Sequence, residues 1–168
     1  MVLAPLQLAQ LALPGMRRQG GGRIVNVSSI AGDANGPFLG WYEAAKQALG
    51  AVTDALRPEV ARYGIDVVLV EPGPHTTPIW DKARAYLGRR QAAALEPDLY
   101  DGPIGMLDEM SRRGGDPQDV ATTIGAVLHA GRPRFRYRVG RGSNALPLVS
   151  KVVPTSVRDR LTRPLAGL

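Results

Sequence analysis

The chain has 168 residues, a formal net charge of +6 and no cysteine, which suits one domain with a sizeable core and excludes disulfides and thiolate metal sites. The two histidines are far apart in sequence, which argues against a histidine-based metal site. No apolar run reaches the roughly 18 residues of a membrane span, and we expect a cytoplasmic protein because the absence of cysteine is compatible with a reducing compartment.

The first predicted element is a helix over residues 3 to 18. Apolar side chains recur along this stretch, and it ends in Arg17 and Arg18, where cations favour a helix C-terminus. A run of glycines from Gly20 then stops the helix. Pro14 lies inside the pattern and predicts a kink or an end.

Two short apolar runs, residues 24 to 28 and 67 to 70, are typical of strands buried on both faces of a parallel sheet. A helical pattern from about Gly40 lies between them. Within it Pro58 predicts a kink or an early end, and Gly64 is suited to the C-terminal cap. The order strand, helix, strand predicts a right-handed crossover between two parallel strands.

The helix from Gly40 carries the first chemically distinctive pair. Tyr42 and Lys46 are four residues apart, so a helix places both on one face. An ammonium group beside a phenol favours the phenolate, which suits the phenol to general acid/base work on an alcohol oxygen. Ser29, which lies before the turn-rich residues 32 to 37, can hydrogen-bond that same oxygen. An ordinary helix-surface pair and a strand-end serine are the alternative interpretation.

A second group of candidate residues follows the second strand. Because chemistry in doubly wound sheets lies at the carboxyl ends of the strands, we expect Ser29 and the Pro72-Gly73 turn to meet at one edge. Gly73 allows a backbone close to a planar ring, and Thr77 can hydrogen-bond a carboxamide. A plain turn with a helix-capping threonine is the alternative. His75 is either a substrate contact or an ordinary loop histidine.

These motifs resemble the signature of the short-chain dehydrogenases/reductases. The family patterns N-[VI]-S-S, Y-x-[AS]-[AS]-K and P-G-x-x-x-T read here at residues 26 to 29, 42 to 46 and 72 to 77. The resemblance implies an α/β fold, part of a Rossmann-type doubly wound parallel sheet with the family's last three strands and their helices. The family's T-G-x-x-x-G-x-G turn and N-N-A-G stretch do not occur here, so we expect residues 1 to 168 to be an N-terminally truncated single domain.

The resemblance further implies an oxidoreductase that uses NAD or NADP to interconvert an alcohol and a carbonyl by hydride transfer. In that reaction Tyr42 exchanges the hydroxyl proton, Lys46 favours the phenolate and Ser29 orients the substrate oxygen. The cofactor contacts implied by the family are Tyr42, Lys46, Pro72, Gly73 and Thr77. The expected substrate contacts are Ser29, Tyr42, His75 and Trp80. A non-catalytic interaction module remains the alternative function.

Residues 76 to 113 correspond to the substrate lid of the family. Their apolar side chains suit a hydrophobic alcohol or ketone, although simple packing against the core explains them equally. The amino-acid sequence of residues 71 to 73 and 77 to 82 resembles that of the branch that contains the hydroxysteroid and retinol dehydrogenases.

The C-terminal third predicts two more helices and one more strand. Asp116 followed by proline starts a helix that runs to about Ala130. Residues 134 to 139 alternate arginine with apolar side chains, which predicts an edge strand whose arginines form a solvated face. The tail, residues 150 to 168, predicts a short amphipathic helix that either packs on its own domain or makes weak contact with a membrane surface.

The expected partners follow from charge and from the resemblance. Many family members pack helices equivalent to residues 3 to 18 and 40 to 63 between subunits, so we expect a homo-oligomer. The arginines are scattered and no aromatic platform is interleaved with them, which argues against nucleic acid as a partner. A basic protein that binds nucleic acid or a membrane surface is the third hypothesis.

Overall fold

The computed structural model describes residues 1–33, 38–140, 142–145 and 152–165. The turn-rich residues 34 to 37, and residues 150, 151 and 166 to 168 of the expected tail, lie outside the described residues. The described helices and strands are, in chain order, α1 (Leu3–Arg18), β1 (Gly22–Val27), α2 (Gly40–Ala61), β2 (Ile65–Pro72), α3 (Ile79–Ala92), α4 (Asp101–Arg112), α5 (Pro117–His129), β3 (Arg136–Val139) and α6 (Thr155–Leu165). Two short 3₁₀ turns, Ile30–Asp33 and Pro97–Tyr100, complete the set.

Within the described residues the sheet has three parallel strands in the order β1-β2-β3. The central strand, β2, is at most 1% exposed from Val67 to Val70, as expected for a strand that is covered on both faces. Both predicted strands exist, and each begins two residues earlier than the apolar runs suggest. The predicted α/β class, with three parallel strands and flanking helices, is confirmed.

Pro14 and Pro58 do not end their helices. α1 continues through Pro14 to Arg18, and α2 continues through Pro58 to Ala61. Each proline lies about one turn before the helix end, where it removes only one interior hydrogen bond. In α2 the buried side chains Leu56 and Val60 flank the proline and hold the last turn against the sheet. Of the two predicted outcomes, an early end is therefore wrong.

Two predicted caps can be compared with the structure. The C-cap of α2 is Arg62, and the predicted cap residue Gly64 lies two residues further along, with a φ of +69°, a left-handed conformation that glycine adopts without strain. At the start of α5, the Asp116 carboxylate accepts a hydrogen bond of 2.8 Å from the backbone N–H of Gln118, so the predicted N-cap is confirmed. Among the described helices, none has both the length and the apolar character needed to cross a bilayer.

An apolar cluster lies where α1 and α2 pack on β1 and β2, towards the amino ends of the strands. We refer to it below as the amino-end cluster. Its buried members are Ala9, Ile24, Leu56, Val60, Ile65 and Val67. Leu13, Met16 and Tyr63 pack around it.

The arginines of β3 correct one prediction. β3 lies at the sheet edge, but Arg136 and Arg138 do not form a solvated face. Arg136 Nη1 lies 2.7 Å from Oε1 of Glu71, and Arg138 Nε lies 3.2 Å from Oε2 of the same carboxylate, whose side chain is only 5% exposed. The register pairs Glu71 with Arg138, and side chains two residues apart share a face. The alternation therefore aims both arginines at a buried acid on the neighbouring strand.

Candidate active site

Ser29 lies directly beyond β1, at the carboxyl edge of the sheet. Its Oγ donates a hydrogen bond of 3.4 Å to the backbone carbonyl of Pro72 and accepts one of 3.1 Å from the N–H of Ala31. The first bond joins the ends of β1 and β2, and the second shapes the 3₁₀ turn that follows. The structure thus brings Ser29 and the Pro72-Gly73 turn together at one edge, as the topology predicts.

Tyr42 and Lys46 share one face of the first turns of α2. The Lys46 ammonium lies 5.8 Å from the centroid of the Tyr42 ring and donates a hydrogen bond of 3.2 Å to the Val27 carbonyl. Burial lowers the pKa of the Lys46 ammonium below its ordinary value of 10.5. The cation is therefore held at the end of β1, next to the phenol, in partly desolvated surroundings.

Two residues that sequence reasoning missed hold α2 at this distance. The Ser28 hydroxyl donates a hydrogen bond of 2.8 Å to the Lys46 carbonyl. Gly32 lies so close to α2 that a Cβ on it would be 3.0 Å from the backbone nitrogen of Gln47. Both contacts arise only when β1 and α2 dock together. The only signals available in the sequence were the first serine of the Ser28-Ser29 pair and a glycine in a turn.

Asn26 is bonded to α2 through its side-chain amide. Its Nδ2 donates to Oγ1 of Thr53 at 2.9 Å, and that hydroxyl in turn donates to the Leu49 carbonyl at 2.6 Å. Thr53 is fully buried, so this chain of bonds satisfies polar groups inside the interface of β1 and α2.

The turn after β2 is packed against the chain that follows β3. The N–H of Gly73 donates a hydrogen bond of 2.8 Å to the Val139 carbonyl. A Cβ on Gly73 would lie 3.0 Å from Oγ of Ser143, so glycine permits this close approach. Packing against Ser143 is therefore enough to explain why glycine occupies position 73. A close approach of the Gly73 backbone to a planar nicotinamide ring stays a prediction.

His75 lies inside this loop and is buried, with 6% exposure. Its Nδ1 is 2.8 Å from the carbonyl oxygen of Gly73, and its ring is so close to Gly115 that a Cβ there would be 3.3 Å from Cδ2. The other ring nitrogen, Nε2, is buried and has no hydrogen-bond partner among the described residues. A direct substrate contact by His75 stays a prediction.

Trp80 and Thr77 close the same loop at the start of α3. The indole N–H of Trp80 donates a hydrogen bond of 2.7 Å to the His75 carbonyl, and its backbone N–H is 3.4 Å from the Thr77 carbonyl. Both side chains are half-buried. Four of the residues expected to contact cofactor or substrate, Gly73, His75, Thr77 and Trp80, thus lie together where β2 leads into α3.

The expected lid region consists of α3, the second 3₁₀ turn and α4. Arg84 of α3 donates a hydrogen bond of 2.8 Å to the Asp108 carboxylate of α4, and α3 and α4 also contact the 3₁₀ turn between them. At the far end the N–H of Thr76 donates to the Gly115 carbonyl at 2.9 Å. The region is therefore attached to the loop after β2 at both of its ends.

A group of charged residues borders the site, and we call it the carboxyl-end network. Its members are Asp33, Asp54, Glu71, Arg136 and Arg138. Burial raises the pKa of the Glu71 carboxyl above its ordinary value of 4.5; the two arginines oppose this change and the charge of Asp33 adds to it. The network connects α2, β2 and β3 with Ser29 and the 3₁₀ turn Ile30–Asp33 that follows it, which together we call the Ser29 turn.

Comparison with known proteins identifies the kind of domain that carries this site. Residues 1–87 match the family model described as short chain dehydrogenase. Over 164 residues the chain is 28% identical to the uncharacterized oxidoreductase YusZ of Bacillus subtilis, and the alignment covers 96% of this chain and 59% of that protein.

Two further similarities agree with this match. The chain is 31% identical to an NADPH-dependent 3-dehydrocapnine reductase of Ornithobacterium rhinotracheale, over 83% of this chain and 49% of that protein. Among solved structures, a short-chain dehydrogenase from Streptomyces avermitilis superposes with a TM-score of 0.69 at 28% identity, over 96% of this chain and 56% of that one.

The fold, the motifs at the carboxyl edge and these matches lead to one conclusion: the chain belongs to the short-chain dehydrogenase family. It spans about half the length of the curated relatives that it matches.

Proposed function

We propose that this chain supplies the acid/base residues of an oxidoreductase that uses NAD or NADP to interconvert an alcohol and a carbonyl. The observation that carries the proposal is the position of Lys46 beside Tyr42, at the sheet edge where Ser29 also lies. Tyr42 gives or takes the hydroxyl proton, Lys46 places a positive charge beside the Tyr42 ring, and Ser29 orients the substrate oxygen and stabilises charge that develops on it.

The residues present fit a nicotinamide cofactor. An ammonium group has three N–H donors, and the bond from Lys46 to the Val27 carbonyl uses one, so ribose hydroxyls are suitable partners for the others. Tyr42, Pro72, Gly73 and Thr77 complete the proposed contacts. When bound, the cofactor supplies the hydride, and the protein supplies position and field. The NADPH dependence of the Ornithobacterium reductase supports this choice.

The decisive experiment removes one hydroxyl. We expect Tyr42→Phe to lower carbonyl reduction by at least about 10²-fold, because the general acid is lost while the ring remains. Tyr63→Phe is the matched control, because Tyr63 lies by the amino-end cluster, and we expect its turnover to stay at the wild-type rate. Unchanged turnover in Tyr42→Phe would overturn the assignment. Failure of the chain to bind nicotinamide nucleotide would favour the non-catalytic interaction module.

For the substrate we propose a hydrophobic alcohol or ketone. Large apolar side chains of the lid region are solvent-exposed, among them Ile79 and Leu95, and such groups can cover an apolar substrate. His75 and Trp80 remain proposed contacts. Across a series of ketones, we expect KM to fall as the chain length increases. Activity confined to small polar sugars would contradict this part of the proposal.

We also propose a cytoplasmic homo-oligomer that associates through α1 and α2. Exposed apolar side chains on these helices, including Leu8, Leu11 and Trp41, support self-association. Sedimentation of the wild type and of Leu8→Gln/Leu11→Gln tests it, and equal monomeric behaviour would count against the interface.

We also propose weak membrane contact by α6, which is supported by its exposed Val157 and Leu161. Equal sedimentation with and without anionic vesicles would exclude this contact.

A further inference from the structure

The turn that carries Ser29 ends in a carboxylate with an unusual environment. Asp33 closes this 3₁₀ turn, and its Oδ2 is buried without a hydrogen-bond partner among the described residues. The oxygen lies 3.6 Å from Nη2 of Arg138, in an ion pair whose two side chains are each 23% exposed. A buried carboxylate oxygen without hydrogen bonds depends strongly on a nearby cation.

Arg138 is at the same time bonded to a second carboxylate. Its Nε donates a hydrogen bond of 3.2 Å to Oε2 of Glu71, which is almost fully buried and directly precedes Pro72. The guanidinium is a planar fork with donors on different sides, so it can hold two acids at once. Without it, Asp33 and Glu71 would face each other as like charges, which repel more strongly in partly desolvated surroundings.

We propose that Arg138 is a positioning residue that fixes the Ser29 turn against β2. Through Asp33 it holds the end of the turn, and through Glu71 it is anchored beside the Pro72 carbonyl to which the Ser29 hydroxyl donates. Arg138 contacts Asp33 and Glu71 and is not one of the proposed catalytic residues. Its consequence for catalysis rests on the proposed function, whereas its effect on the turn does not.

Arg136 provides a matched control on the same strand. It is also bonded to Glu71, at 2.7 Å, but its second partner is Asp54 of α2, at 2.9 Å. Arg136→Gln therefore removes a β3 arginine and an ion pair to Glu71 without removing the contact to the Ser29 turn. Comparison with Arg138→Gln separates a general loss of charge pairing from the specific loss of Asp33's partner.

Two amides of the turn report its order directly. The N–H of Ala31 donates to the Ser29 hydroxyl and that of Gly32 to the Ser29 carbonyl, both at 3.1 Å. We expect Arg138→Gln to speed hydrogen exchange at these two amides by about tenfold or more, as local opening becomes easier. Arg136→Gln is expected to leave them near the wild-type rate. Equal acceleration in both variants, or none in Arg138→Gln, would overturn the proposal.

A second variant covers the case in which Arg138→Gln does not fold. Asp33→Asn removes the charge that Arg138 holds but leaves Glu71 paired with both arginines, and we expect it to speed exchange at the same two amides. In the double variant with Arg138→Gln, where folded, no further acceleration should follow, because both changes break one contact. Slow exchange in Asp33→Asn would contradict the proposal. The amides of residues 67 to 70 serve as the internal reference for an intact sheet.

The catalytic consequence is read separately. If the proposed function holds, Arg138→Gln should lower kcat more than it raises the KM for the cofactor, because the serine and not the cofactor site is displaced. If Tyr42→Phe leaves turnover unchanged while Arg138→Gln still frees the turn, the proposed function fails and the positioning contact stands. The opposite pair of results retains the function and removes the contact.

Discussion

The two ends of β2 are built from opposite kinds of side chain. At the amino end Ile65 and Val67 belong to an apolar cluster, whereas at the carboxyl end Glu71 meets two arginines. Apolar burial is non-directional and contributes stability in proportion to area. Charged hydrogen bonds in partly buried surroundings contribute little net stability, but they fix directions and distances. One end of the strand thus stabilises the fold, and the other sets the geometry around Ser29.

The largest expected effect comes from the amino end. Ile65 is 2% exposed, and Ile65→Ala should lower the free energy of unfolding by about 2 to 5 kcal/mol, through lost burial and a residual cavity. Chemical denaturation measures this value. Leu95→Ala is the control, because Leu95 is fully exposed, and we expect a change within about 0.5 kcal/mol. Similar losses in the two variants would erase the distinction between core and surface.

A smaller loss is expected where the Ser29 turn meets α2. In Gly32→Ala the new Cβ would lie 3.0 Å from the Gln47 nitrogen and 3.2 Å from the Lys46 carbonyl carbon. Both are atoms of a helix backbone, which cannot turn aside as a flexible side chain can, so we expect a loss of about 1 to 3 kcal/mol. Turnover should fall by more than the loss of folded protein explains, because Lys46 is displaced.

Gly88→Ala is the matched control for this substitution. Gly88 lies in the interior of α3, and its Cβ would meet no atom within 4 Å apart from the helix's own backbone. The same added methyl group should there raise stability by about 0.5 to 1 kcal/mol, because alanine restricts the unfolded chain more than glycine does. Equal losses at both positions would show that the contact with α2 is not the cause.

The carboxyl-end network should make the stability of the fold depend on pH, which the apolar side chains of the amino-end cluster cannot do. The pKa of Glu71 is raised in the folded chain above its ordinary value of 4.5. Its contribution to stability is therefore fully present below about pH 4.5 and is lost as the pH rises through the folded pKa. The stability difference between the wild type and Glu71→Gln should fall with rising pH over this window, as denaturation at several pH values would measure.

The opposite trend would have a definite meaning. If the difference rose with pH, attraction by Arg136 and Arg138 would outweigh the desolvation of the carboxylate. The carboxyl-end network would then stabilise the fold as well as orient the site, and the contrast between the two ends of β2 would weaken.

The same contrast explains what the sequence could and could not predict. The strands and helices were predictable because apolar runs and helical spacing are local patterns, as at residues 67 to 70. The acidic partner of Arg136 and Arg138 was not predictable. A strand with alternating arginines has the same sequence pattern whether those arginines meet water or an acid 65 and 67 residues earlier in the chain. Ser28 was missed for a related reason: its hydroxyl matters only through a helix docked from elsewhere.

The smallest expected effect concerns Lys46 at alkaline pH. Burial lowers its pKa below 10.5, so the contribution to stability is present above that pH and is lost as the pH falls through the folded pKa. Relative to Lys46→Met, the wild type should gain stability as the pH rises towards 10.5. Lys82→Met, at an exposed position of α3, is expected to leave the pH dependence unchanged. If the curves of stability against pH were parallel for the wild type and Lys46→Met, solvent would reach the ammonium freely. The site would then not hold Lys46 in the partly desolvated surroundings that are proposed for it beside Tyr42.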